Sequence, residues 1–196
     1  MHSDTHQIAS HMKDFGLHAF GRSIVDVVFC EITNPYAHAM GVIRCAHAAE
    51  LLIKARIAEE HPLLIFEKLP RPKGQENKLL DINTLLNEGR TIMYSDLPDL
   101  LWAATGQCIR DIERYQSFGR LRNAITHLGI PDANLSHETL LYGFNVIEPL
   151  VRNFWDIDVL KYLEEYDCDC EEYLVEQLTE IGIQFTRHKV TPRYPA

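Results

Sequence analysis

Long apolar runs are absent from this chain of 196 residues. None approaches the roughly 18 to 20 residues that a bilayer span requires, which excludes an integral membrane protein built on helices. The first residues, Met1-His2-Ser3-Asp4-Thr5-His6, hold neither a basic stretch nor an apolar segment, so no secretory signal is expected. Cysteine is scarce, odd in number and irregularly spaced: Cys30, Cys45, Cys108, Cys168 and Cys170. Without a signal peptide these read as reduced thiols in a cytoplasmic protein rather than as a disulfide framework. Known catalytic fingerprints are missing too. The chain has no glycine-rich phosphate loop, nucleophile elbow, His-Glu-x-x-His or dinucleotide motif, so redox, acyl-transfer and P-loop enzymes have no support. Strand-like alternation is confined to Gly182-Ile183-Gln184-Phe185, and no repeat or low-complexity tract occurs.

What remains is ordinary globular material. Hydrophobic residues make up 46% and charged residues 24%, which suits one folded domain and argues against disorder. The formal net charge of −9 is unevenly placed. Ten acidic residues and one lysine lie between Asp156 and Glu180, and the rest of the chain is balanced. Such a chain is not a general nucleic-acid coat, but a small basic site outside the acidic segment remains open.

The periodicity predicts an all-α up-and-down bundle of about five main helices with extra C-terminal helices. A helix over 7–32 carries Ile8, Met12, Phe15, Phe20, Ile24, Val27 and Val28, with Gly16 and Gly21 as places where it could kink. An alanine-rich helix over 35–60 follows, and His61-Pro62 ends it. Leu63-Leu64-Ile65-Phe66 reads as a helical continuation in the core, and 69–78 as a polar loop. Short helices are expected over 81–87 and 97–104, with Asp81 and Asp96 as N-caps. Longer ones are expected over 107–128, ending at Gly129, and over 136–154, with Ser136 as N-cap. The bundle is assigned to 1–155. An acidic helical extension over 156–196 packs on the same domain, with helices over 159–166 and 171–181 and a tail from 186.

One helix carries the chemistry. At about 100° per residue, Phe118, Leu121, Ile125 and Leu128 form an apolar stripe for the core. Arg120, Asn123 and His127 follow i, i+3, i+7 on the opposite side, and Arg122 stands at the boundary, long enough to lean toward them. A line of donors facing away from its own core must meet solvent, a ligand or another protein copy. Guanidinium groups bind phosphate oxygens in pairs, and imidazole moves protons near neutral pH. Together, with no metal ligand required, they suit attack by a ribose 2′-hydroxyl on its own phosphodiester.

The segment Arg122-Asn123-Ala124-Ile125-Thr126-His127 resembles the signature of the HEPN superfamily (higher eukaryotes and prokaryotes nucleotide-binding domains). That signature is an Arg, usually followed by a polar residue, four to six residues before a His, late in a helical bundle. The alanine-rich helix with Arg44, His47, Glu50 and Lys54 is similar to the family's earlier long helix, and the resemblance covers roughly residues 10–155. It implies a metal-independent endoribonuclease of the toxin or antiviral-defence kind, with no cofactor. It further implies a homodimer whose two Arg-His motifs face one cleft, and RNA or nucleotide, with an antitoxin protein, as partners. Neither DNA nor membrane is expected. Carried over, Arg122 stabilises the phosphorane, His127 moves the proton and Asn123 positions them. Arg120 contacts phosphate, and Glu50 with His47 lines the cleft. Other members bind nucleotides or proteins without cutting, which is the alternative. The chain departs from a common toxin variant: the Tyr two residues after the His is Gly129 here, so control by nucleotidylation at that position is not expected.

Competing readings accompany these residues. The polar line could be a solvated face or a dimer contact. Glu50 and Lys54 could be a surface i,i+4 pair. The second Arg-x4-His match, Arg56 to His61, lacks the Asn and abuts Pro62, so it reads as incidental. Cys168-Asp169-Cys170 has poor zinc spacing, and no metal site is assigned. His2, His6, His11 and His18 read as surface residues, Trp102 and Trp155 as core, and the acidic helices as a solvated face.

Overall fold

The computed structural model describes residues 2–29, 34–71, 80, 82–129, 134–166 and 171–183. The all-α expectation holds. In chain order the helices are α1 (His2–Val28), α2 (Ala37–Glu60), α3 (Ile82–Glu88), α4 (Leu97–Thr105), α5 (Ile112–Leu128), α6 (Leu135–Tyr142), α7 (Glu148–Trp155), α8 (Val159–Tyr166) and α9 (Glu171–Glu180). No described helix is long and apolar enough to cross a membrane.

The bundle is organised on α1 and α2. Small residues let them close: a Cβ at Gly41 would stand 2.4 Å from Val27, and one at Gly16 would stand 2.9 Å from Leu52. Those pairings run the two helices antiparallel. Asp26, buried on α1, binds the Arg44 guanidinium of α2 across the seam. Neither Gly16 nor Gly21 interrupts α1, which is continuous. Phe20, Ile24, Val42, Leu52, Ile53 and Ile57 form the centre of the core. Val159, Leu163, Leu174 and Leu178 of the C-terminal helices join the same cluster. Trp155 clips α7 to α2 by donating Nε1–H to Glu59 at 2.7 Å.

Several local expectations need correction. Leu63–Phe66 is not a helical continuation. Pro62–Ile65 forms a 3-10 turn, and Phe66–Lys68 is a strand, β1, paired antiparallel with β2 (Arg90–Thr91) through Phe66 opposite Thr91. Only Ile65 of that turn is buried. His61 ends α2 and accepts from the Leu63 N–H through Nδ1, so both ends of the second Arg-x4-His match have structural duties; Arg56 pairs with Glu59 and Glu60. Ser136 is not the cap of α6. Asn134 holds that place and accepts from the His137 N–H at 3.2 Å. Asp96 occupies the cap position of α4 without a capping hydrogen bond. The helix predicted over 136–154 contains a π-helical turn, Gly143–Ile147, between α6 and α7. There the missing Cβ of Gly143 admits Phe20. Trp102 is 59% exposed, and Leu128 is 70% exposed because the chain turns away at Gly129, so neither is core. His11 and His18 are exposed as expected. The readings of Asp81, Cys168, Cys170, the side chains of His2 and His6, and the tail from 186 lie outside the described residues.

Candidate functional site

The chemistry-bearing helix α5 starts at Ile112, five residues later than the periodicity predicts, and is capped by Asp111, whose carboxylate accepts from the Arg114 N–H at 3.0 Å. It stops at Gly129, whose φ of +67° is the left-handed conformation that glycine adopts freely. Two neighbouring stripes of α5 line an open pocket of about 650 Å³. The inner stripe is Tyr115, Gly119 and Arg122; the outer is Gln116, Arg120, Asn123 and His127. The facing wall is Glu50 of α2 with Thr91, Ile92, Met93, Tyr94 and Ser95, the segment running from β2 toward α4. That volume is in the range of sites that hold small organic ligands.

Of the six residues singled out from the sequence, five meet here: Arg122, Asn123, His127, Arg120 and Glu50. His47 does not. It is three residues before Glu50, one turn away on the same side of α2, but it is exposed and its ring meets Phe15 of α1 edge-on at 6.0 Å instead of lining the pocket. Glu50 satisfies both of its readings: it lines the pocket, and it pairs with Lys54 at 2.6 Å. The lysine, however, is buried, and it also donates to Thr91 Oγ1 at 3.3 Å, tying α2 to the strand. Glu50 makes no ion pair with Arg122, so it does not orient that guanidinium directly.

The floor was not foreseen. Tyr94 and Tyr115 stack at 4.2 Å with rings nearly parallel. Each phenol donates to the other's backbone carbonyl, at 3.1 and 2.7 Å. Because Tyr94 gives its proton to the Tyr115 carbonyl, the 2.7 Å contact between Tyr94 and Tyr142 is a bond donated by Tyr142. Phe118 stacks on Tyr142 at 4.0 Å and continues the cluster into the core. Burial pushes all three phenols above their ordinary range, so they stay neutral. Burial likewise pushes the Cys45 thiol up to about 12, although Ser23 beside it acts the other way.

Arg122 rests on this floor, its guanidinium 5.2 Å above the Tyr94 ring in cation–π geometry. Its Nε–H is buried and has no hydrogen-bond partner among the described residues. Arg120 and Arg122 form no ion pair among the described residues, and Glu50 is neutralised by Lys54. The pocket is therefore a cationic site on a chain of net charge −9. His127 and Asn123 are exposed and make no hydrogen bond among the described residues, so their polar atoms are available to a ligand. Two free guanidiniums, an amide and an imidazole along one wall can bind a phosphate group and exchange a proton with what is attached to it.

The spacing of Tyr115, Gly119 and Arg122, i, i+4 and i+7, was a sequence signal for the inner stripe. Nothing local pointed to Thr91, Met93 or Tyr94, which arrive by tertiary packing. Comparison with family models, curated proteins and solved structures finds no match to this chain.

Proposed function

We propose that the pocket is a phosphodiester site and that the protein is a metal-independent endoribonuclease of HEPN type. The observation that carries this reading is the convergence of Arg122, Asn123, His127 and Arg120 on one open pocket, with no acidic partner for either arginine among the described residues. In this reading His127 takes the proton of a ribose 2′-hydroxyl. The oxygen forms a bond to the adjacent phosphorus, the bond from phosphorus to the 5′-oxygen breaks, and that oxygen leaves with the proton that the His127 imidazolium returns. The products are a 2′,3′-cyclic phosphate and a 5′-hydroxyl. Arg122, steadied by Tyr94, supports the charge on the equatorial phosphate oxygens. Asn123 and Arg120 hold the remaining oxygens. A second subunit facing the same cleft, and a neutralising antitoxin, belong to this reading as proposals.

The test is an RNA oligonucleotide incubated with the purified chain in EDTA, beside the same oligonucleotide carrying 2′-O-methyl groups. Cleavage of the first alone, with cyclic phosphate ends, supports the reading. Cleavage of both, or cleavage only after metal is added, contradicts it.

A second reading is a module that holds a nucleotide or RNA without cutting. It is favoured by the contrast between Arg122, which is anchored, and His127, whose imidazole no described hydrogen bond orients. Binding lost in Arg122→Ala but retained in His127→Ala, with no turnover in either, would select it.

A further inference from the structure

We infer that Glu50 reads the base of the nucleotide whose phosphate lies against α5, and that the base it selects is guanine. The inference rests on the phosphate reading of the pocket and adds a substrate class to it. The pocket is chemically divided. Its unpaired cations, Arg120 and Arg122, stand on α5, whereas its carboxylate stands on α2 beside the β2 rim. Lys54 fixes that carboxylate: the buried ammonium binds Glu50 Oε1 at 2.6 Å and Thr91 Oγ1 at 3.3 Å. The second carboxylate oxygen, Oε2, has no hydrogen bond among the described residues. The free oxygen can only accept, and a phosphate oxygen offers it no donor, so this wall suits a donor-bearing part of the ligand.

Stacking does not supply the selection. One face of Tyr94 is taken by Tyr115, and the Arg122 guanidinium also lies over the ring. Met93, 54% exposed on the same wall, offers an apolar surface that any base can use. Discrimination is thus left to hydrogen bonds at the base edge. An ionised carboxylate only accepts. Guanine alone presents two adjacent donors, N1–H and the N2 amine, which match a carboxylate fork made of the free Oε2 and the remaining lone pair of Oε1. Adenine and cytosine place a ring acceptor beside their amine, and uracil flanks its one donor with two carbonyls. Each of those sets an oxygen or nitrogen lone pair against Glu50.

The experiment is calorimetric titration of the full chain with the 3′-monophosphates of guanosine, inosine, adenosine, cytidine and uridine, and with inorganic phosphate. The inference predicts that the guanosine ligand binds about tenfold or more tighter than the adenosine, cytidine and uridine ligands. Inosine lacks only the N2 amine and should lose about tenfold. In Glu50→Gln the five nucleotides should become equal while inorganic phosphate still binds, no more weakly than to the native chain. Arg122→Ala should weaken all six. Equal binding of the five by the native chain, still lost in Arg122→Ala, overturns the role of Glu50 and leaves the phosphate site standing. Guanine preference that vanishes in Glu50→Gln but ignores Arg122→Ala overturns the phosphate site and leaves Glu50 as the reader. No binding of any ligand overturns both. Should Glu50→Gln fail to fold with Lys54 unpaired, the inosine comparison on the native chain still decides.

Discussion

At Gly119 a hydrogen stands where any other residue would carry a carbon 2.6 Å from the edge of the Tyr94 ring. The floor of the pocket depends on that hydrogen. Gly119→Ala is expected to push Tyr94 away and lower stability by about 1–3 kcal/mol, the usual effect of overpacking, as measured by urea denaturation. The same variant should weaken phosphate binding, because Arg122 loses the ring on which it rests. His127 is the opposite case. It is exposed and unbonded among the described residues, so His127→Ala should leave the unfolding midpoint unchanged while RNA cleavage falls by about 100-fold or more. Equal losses of stability and activity would mean that the imidazole is structural. The line Arg120-Asn123-His127 was legible in the sequence because one helical period generates it. Tyr94 was not, because its place beside Arg122 is fixed by the antiparallel strands and by Gly119, which no local pattern ties together. His47 misled because its i,i+3 spacing puts it on the same side of α2 as Glu50, while its ring lies against Phe15 of α1 and not in the pocket.

Elements meet at the tyrosines. The segment before α4, helix α5 and helix α6 are joined by Tyr94, Tyr115 and Tyr142 through buried phenol hydrogen bonds. Tyr94→Phe removes one donor and leaves the buried Tyr142 hydroxyl without its acceptor, so a loss of about 1–3 kcal/mol is expected in urea denaturation. Alkali acts on the same cluster and on Cys45 of α2. Their folded pKa values are raised, so the stability they contribute is whole below the unfolded values and is lost as pH rises toward the folded ones. For the thiol the window runs from 9.0 to about 12. Stability should therefore be flat near neutrality and fall above pH 9, and Cys45→Ala should flatten the first part of that fall. Helix order was readable from alanine content, proline breaks and apolar spacing. The strand pair was not, since β1 and β2 span three and two residues, too few to show alternation. The cap of α6 was misplaced because Asn134 and Ser136 are both good capping residues two positions apart, and only the chain's entry angle chooses between them.

For the molecule as a whole, a cationic pocket coexists with a net charge of −9. The exposed acidic residues of α9, Glu172, Glu176 and Glu180, face solvent and contribute to a field that opposes the approach of RNA. Replacing the three with Gln should speed association with RNA at low ionic strength and make little difference at high salt, where screening removes the field. Stopped-flow binding at two salt concentrations checks this; no change at low salt would make the acidic face a solvating surface only. The overall class, a helical bundle with the acidic helices joined to its core, follows from apolar spacing that persists through the acidic stretch at Val159, Leu163, Leu174 and Leu178. The central claim, that one helix presents a guanidinium and an imidazole to a phosphodiester, is tested most directly by single-turnover cleavage of RNA in EDTA by the native chain, Arg122→Ala and His127→Ala. The account predicts cleavage by the native protein and its loss in both variants, each still folded. Undiminished cleavage in either variant would contradict it.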